Sequence, residues 1–185
     1  MKKMKSLYEN VIMAGFGGQG VLFIGRLLAY AAMKEGRNVT WIPSYGPEMR
    51  GGTANCTVVV SDEVIGSPVI TSPDALIVMN NPSLDAFEPR LKTGGLLIIN
   101  SSLITRGTKR NDITVVKAPA NKIAFEIGSD RAANMVLLGA YIARTKVVTK
   151  GNILEALQKV LGEKKKQLFE INRVAFEKGI EIGSL

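Results

Sequence analysis

Along this chain, short apolar runs alternate with stretches whose apolar residues recur at helical spacing, which predicts an alternation of buried strands and helices. Tyr8 to Ala14 reads as a first strand. Gly20 to Glu35 follows as a helix with Val21, Ile24, Leu27, Leu28 and Ala31 on one face and Gly36 as its stop. Val39 to Pro43 and Cys56 to Val60 are predicted strands, separated by the glycine-rich loop Ser44 to Asn55, which carries no apolar periodicity. Ala75 to Met79, Leu96 to Asn100 and Ile113 to Lys117 complete the predicted strands, with a short helix over Pro82 to Leu91. Beyond Pro119 the pattern is helical, near Asn121 to Ile127, Arg131 to Arg144, Thr149 to Leu161 and Glu163 to Lys178. The segment Arg131 to Arg144 is apolar almost all round and rich in small residues, as in a fully buried helix with close backbone approach. On the last helix Leu168, Phe169, Ile171, Val174, Ala175 and Phe176 span more than half the circumference, which either a second chain or packing within the domain would cover.

Apolar strands of this length, separated by helices, point to an α/β fold: a Rossmann-like three-layer domain with a mostly parallel sheet covered on both faces and a helical C-terminal extension. The 185 residues suffice for one core, so a single domain over 1–185 is expected, with the α/β sheet core in 1–118 and a mainly helical part in 119–185. A content of 46% hydrophobic and 22% charged residues is ordinary for a soluble protein. The longest apolar run, Met135 to Ala143, falls short of the roughly 18 to 20 residues a membrane span needs, and the basic start breaks into Glu9, Asn10 and glycines rather than a secretory segment. A cytoplasmic protein with no membrane partner is expected.

The formal net charge is +8, but the basic residues are scattered apart from Lys164-Lys165-Lys166 and lack interleaved aromatics, so no nucleic-acid partner is predicted. Histidine is absent, which removes the commonest general base and metal ligand. The single cysteine, Cys56, lies in a strand-like run as a buried thiol and cannot alone hold an iron–sulfur cluster or zinc. No nucleophile–base pair, Walker lysine or paired carboxylate stands out, so no catalytic and no metal-ligating residue is predicted in this chain.

Two loops carry the candidate chemistry. Gly15, Gly17 and Gly20 satisfy the G-x-G-x-x-G spacing that seats a dinucleotide pyrophosphate on a helix N-terminus, where free N–H groups and the helix dipole favour an anion by roughly 0.3 to 1 kcal/mol. The second strand, however, ends in Trp41-Ile42-Pro43-Ser44-Tyr45 with no carboxylate for a ribose, which counts against a free-standing dinucleotide-binding reductase, the alternative reading. Gly18 and Gln19 suggest instead a tight turn whose Gln19 amide reaches a neighbouring loop or subunit. In the second loop, Glu48, Arg50, Gly51 and Gly52 place a guanidinium between glycines: Arg50 either meets an anion or orders its own loop through Glu48.

Together, Gly15-Phe-Gly-Gly-Gln-Gly-Val and Ser44-Tyr-Gly-Pro-Glu-Met-Arg-Gly-Gly-Thr-Ala-Asn closely resemble the gamma subunit of 2-oxoacid:ferredoxin oxidoreductases. Asn80-Asn-Pro, Gly94-Gly-Leu-Leu-Ile-Ile-Asn-Ser and Asn134-Met-Val-Leu-Leu-Gly extend the likeness along the chain, and the Tyr45-to-Gly52 form of the loop looks most like the 2-oxoglutarate branch, ahead of pyruvate, branched-chain and aryl-pyruvate branches. The resemblance implies a hetero-oligomeric complex that decarboxylates a 2-oxoacid oxidatively with coenzyme A and passes electrons to ferredoxin. Thiamine diphosphate, Mg2+ and iron–sulfur clusters are then expected in sibling subunits and none in this chain. On this reading Gly15, Gly17, Gly18, Gln19 and Gly20, with Glu48, Arg50, Gly51 and Gly52, form a docking face, Arg50 reaching an anionic substrate or coenzyme group.

Overall fold

The computed structural model of the chain describes residues 6–44 and 53–185. The apolar runs become strands β1 (Tyr8–Phe16), β2 (Asn38–Ser44), β3 (Thr53–Ser61), β4 (Ala75–Val78), β5 (Leu96–Asn100) and β6 (Thr114–Ala118). The helices are α1 (Val21–Lys34), α2 (Asn81–Phe87), α3 (Ala120–Glu126), α4 (Ala133–Thr145), α5 (Lys150–Leu161) and α6 (Lys166–Gly183). Helix starts follow their local chemistry: the Asn80 side chain accepts from Ser83 N with Pro82 in the first turn of α2, and Thr149 accepts from Asn152 N at the start of α5.

The strands form one sheet in the order β2-β3-β1-β4-β5-β6. β1, β4, β5 and β6 pair in parallel, while β3 is antiparallel to both β1 and β2, so β3 alone runs against the rest. The sheet is thus mostly parallel, but β1 and β2 are not neighbours. Connection length explains why β3 runs against β2: two parallel strands need a crossover of a dozen or more residues, and too few separate Ser44 from Thr53.

Alternation along β1 sorts the core. Val11 and Met13 face a large apolar layer with residues of α1, α3, α4, α5 and α6, whereas Ile12 and Ala14 face a smaller one with Leu84 of α2 and the connecting residues Ile70, Leu91 and Ile104. Helix α4 is buried from Ala133 to Ile142 because it lies between the sheet and α6. A Cβ on Gly139 would stand 2.1 Å from Phe176 O, and one on Gly179 2.0 Å from Val136 O, so the two helices meet backbone to backbone. Ala175 and Phe176 are buried in this contact, and Phe169, Ile171 and Ile180 pack at its margin, so packing within the chain covers much of the apolar face of α6, while Leu168 stays 37% exposed. Among the described residues no helix is long and apolar enough to cross a membrane.

Candidate functional site

Since α1 leaves β1 toward one face of the sheet and α2 leaves the adjacent, parallel β4 toward the other, a crevice opens beyond the carboxyl ends of β1 and β4. Ligand sites of open α/β sheets lie at such reversals. The glycine turn sits there. Its backbone requires glycine at two places: Gly18 has φ +92° and Gly20, the residue capping α1, has φ +77°. Gly15 has another role: a Cβ there would lie 2.7 Å from Gln19 Oε1 and 3.1 Å from Met79 Cβ, so only a bare backbone fits between the turn and β4.

The turn is satisfied from within. Gln19 N donates to Phe16 O at 3.1 Å, and Phe16 N donates to Gln19 Oε1 at 2.6 Å. The same Oε1 accepts from Asn80 Nδ2 at 3.2 Å, tying the turn to the start of α2. On the other side Asn134 Nδ2 of α4 donates to Gly20 O at 3.1 Å, and a Cβ on Gly20 would stand 2.2 Å from that nitrogen. Met79 N closes the floor by donating to Ala14 O at 3.0 Å. An amide oxygen of the chain itself therefore occupies a backbone N–H that a bound anion would use, while the first-turn N–H groups of α1 keep their bias toward negative charge.

Outward, the turn presents Phe16, Gly17 and Gly18 over a hollow of ≈ 270 Å³ also lined by Leu22, Phe23 and Ala54. Phe16 is 39% exposed, and nothing stands within 4 Å of the Cβ position of Gly18. The expected pairing of Gln19 with a neighbouring loop is thus present, through Asn80. Glu48, Arg50, Gly51 and Gly52 lie outside the described residues, but their flanks are placed: Thr53 pairs with Phe16 and Ser44 with Asn55, so both stubs of that loop lie at the edge that carries the glycine turn. The dinucleotide geometry is absent for a second reason besides the missing carboxylate. With β3 inserted, the end of β2 lies two strand spacings from β1, roughly 10 Å, rather than one.

The sequence marked Asn80 and Asn134 only as points of family likeness and gave them no part in the site. The signal was available for both: Asn80 directly follows a buried strand at its carboxyl end, and Asn134 is a buried polar residue inside an apolar helix, which must find a partner. Cys56 lies fully buried on β3, its Sγ 3.4 Å from Val21 O, and burial pushes its thiol up to about 12. Among the described residues no group of three or more His, Cys, Asp or Glu is placed to hold a metal ion. A second charged cleft, of ≈ 360 Å³, lies at the opposite sheet edge between Glu9, Asp74, Lys92, Thr114 and Arg144. There the buried Tyr141 hydroxyl donates to Glu9 Oε1 at 3.4 Å. Burial first, and the Asp74 charge second, push the Glu9 carboxyl up to about 7, against the Tyr141 bond and Lys92.

Comparison with known proteins gives a consistent picture. Residues 10–182 match the model of the family described as pyruvate ferredoxin/flavodoxin oxidoreductase. The ketoisovalerate oxidoreductase subunit VorA of Methanothermobacter marburgensis is 47% identical over 72% of this chain, a stretch that makes up 28% of that relative. The 2-oxoglutarate synthase subunit KorC of Methanocaldococcus jannaschii is 34% identical over 98% of this chain and 97% of its own. Among solved structures, the gamma subunit of a keto/oxoacid ferredoxin oxidoreductase from Geobacter sulfurreducens superposes with a TM-score of 0.81 at 30% identity, covering 95% of this chain and 98% of that one. The chain thus spans little more than a quarter of the first of these relatives and nearly all of the other two.

Proposed function

The chain belongs to the pyruvate ferredoxin/flavodoxin oxidoreductase family, and from that premise we propose that it is the gamma subunit of a cytoplasmic, thiamine diphosphate-dependent 2-oxoacid:ferredoxin oxidoreductase. The complex would convert a 2-oxoacid and coenzyme A to acyl-CoA and CO2, the electron pair released by oxidative decarboxylation passing to ferredoxin. The described residues form no site for Mg2+ or an iron–sulfur cluster: the carboxylates are dispersed and the one thiol is sealed in the core. Those groups belong to sibling chains on this reading, and this chain supplies shape.

The observation that carries the reading is the self-satisfied glycine turn. Gln19 Oε1 fills its own turn and clasps Asn80, which leaves the exposed Phe16 beside Gly18, whose Cβ position meets nothing within 4 Å, as a ledge suited to close approach by another polypeptide. The stubs of the 45–52 loop flank that ledge, so Gly15, Gly17, Gly18, Gln19 and Gly20 with Glu48, Arg50, Gly51 and Gly52 make up the proposed docking face. Arg50 would reach an anionic group of the substrate, the coenzyme or the neighbouring chain.

For the 2-oxoacid, 2-oxoglutarate is favoured by the relative that matches end to end. A branched-chain 2-oxoacid is the second reading, supported by the higher identity to the ketoisovalerate enzyme's subunit over a shorter stretch. The test is to purify the assembled complex through a tag on this chain and assay viologen reduction with coenzyme A and each of 2-oxoglutarate, 2-oxoisovalerate and pyruvate. Turnover fastest on 2-oxoglutarate supports the reading, and turnover fastest on 2-oxoisovalerate moves it to the second. A chain that purifies alone and binds NAD tightly would overturn the subunit reading altogether.

A further inference from the structure

We infer that the groove between α1 and α5 seats an acidic, amphipathic helical segment of a sibling chain. The inference rests on the subunit reading above. The groove has a volume of ≈ 510 Å³ and is lined by Tyr30, Met33, Lys34, Asn152, Glu155 and Lys159. Its apolar floor faces solvent: Tyr30 is 37% and Met33 60% exposed, and their spacing on α1 puts them one turn apart on the same side. A trough between two helices with anchors at i and i+3 suits a third helix laid along it.

Charge selects the occupant. Lys34 is paired with Glu155 at one end of the groove, and Glu35 is engaged by Thr149 N, Asn152 Nδ2 and Arg37. The remaining cation of the groove, Lys159 over the Tyr30 ring at 5.4 Å, forms no ion pair among the described residues, and neither does Arg26, one turn before Tyr30 in the adjoining hollow. Lys164 and Lys165 follow in the exposed turn after α5 and Lys166 opens α6, with Glu163 the acidic residue of that turn. An apolar floor under a positive rim fits a helix that is apolar on one face and acidic on its flanks. A second copy of this chain fits poorly, because its own net charge is +8. The groove also continues the docking face: Arg26 lines the next hollow with Leu22, Phe23 and Trp41, and Leu22 and Phe23 line the glycine-turn hollow as well. The ketoisovalerate relative carries the matching stretch inside a chain more than three times as long, so such a domain has neighbouring polypeptide available to cover it.

The test places a photo-crosslinking amino acid at Met33 and, in a separate variant, at Phe16, each in the assembled complex, and maps the products by mass spectrometry. The inference predicts that Met33 crosslinks to a sibling-chain segment with net negative charge and apolar residues at helical spacing. It also predicts that Lys159→Glu, with its circular dichroism unchanged, weakens assembly about fivefold at low salt, an effect that largely vanishes at high salt. A Met33 crosslink to a second copy, to a neutral or basic segment or to nucleic acid overturns the proposal, as does no crosslink. If Phe16 crosslinks to a sibling and Met33 does not, the groove proposal fails while the subunit reading stands; if neither does, both fail.

Discussion

Replacing Gly20 by alanine imposes two separable penalties on the glycine turn. The residue sits at φ +77°, a left-handed conformation that costs a non-glycine residue about 1 to 2 kcal/mol. Its new Cβ would also stand 2.2 Å from Asn134 Nδ2, an overlap of the kind that costs about 1 to 3 kcal/mol when a packed core must shift. Gly20→Ala is therefore expected to lose about 3 kcal/mol. Asn134→Ala removes the bond to Gly20 O and should cost about 1 kcal/mol. In the double variant the overlap is gone and only the backbone strain and the lost bond remain, so its loss should be smaller than the sum of the two singles by the overlap, about 1 to 3 kcal/mol. Urea titrations of the four proteins, read as midpoints at constant m-value, give the cycle directly. Strictly additive losses would show that Asn134 does not press on Gly20, and the account of how α4 braces the turn would be wrong.

Other expectations follow from the same geometry. Gly18→Glu should cost only about 1 to 2 kcal/mol of stability, since nothing stands within 4 Å of its Cβ position and the penalty is backbone strain alone, yet it should abolish co-purification with sibling chains; intact assembly would sink the docking face. Glu9, whose folded carboxyl is pushed up to about 7 from 4.5, holds a proton between those values that the unfolded chain has released. Stability should therefore fall as pH rises through that window, by ~3 kcal/mol once pH 8 is reached. Glu9→Gln should flatten this fall, so thermal melts from pH 4 to 8 that run parallel for the two proteins would refute it. Gly179→Ala should destabilise by about 2 kcal/mol or more despite the better helix propensity of alanine, because its Cβ would meet Val136 O at 2.0 Å; a neutral or raised melting temperature would contradict the close α4–α6 contact.

What the sequence disclosed was set by how local the determining physics is. The strand over Leu96–Asn100 is found at its predicted limits because an apolar run bounded by Gly94-Gly95 and a polar turn leaves little choice. The burial of α4 was legible from its missing polar face. The antiparallel placement of β3 against β2 was equally present in the spacing, since too few residues separate Ser44 from Thr53 for a parallel crossover, but reading it required weighing connection length rather than periodicity. At the site, the glycines announced the turn, whereas the clasp of Gln19 by Asn80 joins residues from separate βα units and becomes visible only once β1 and β4 are neighbours. The same holds for Asn134, whose partner Gly20 lies far away in sequence.

The position of β1 has a consequence for how the chain acquires its shape. Though made before either of its partners, β1 pairs with no directly adjacent segment: Val11 bonds into register with Val58 on one side and Ala75 on the other. No local hairpin can nucleate the middle of the sheet. Emerging from the ribosome, the β1–α1 unit must wait as an unpaired apolar strand until β3 and β4 have been synthesised, and closing those long loops comes before any reward in contacts. Folding is then expected to be slow for a chain of this size, and its early intermediates to expose an unpaired central strand that calls for a chaperone.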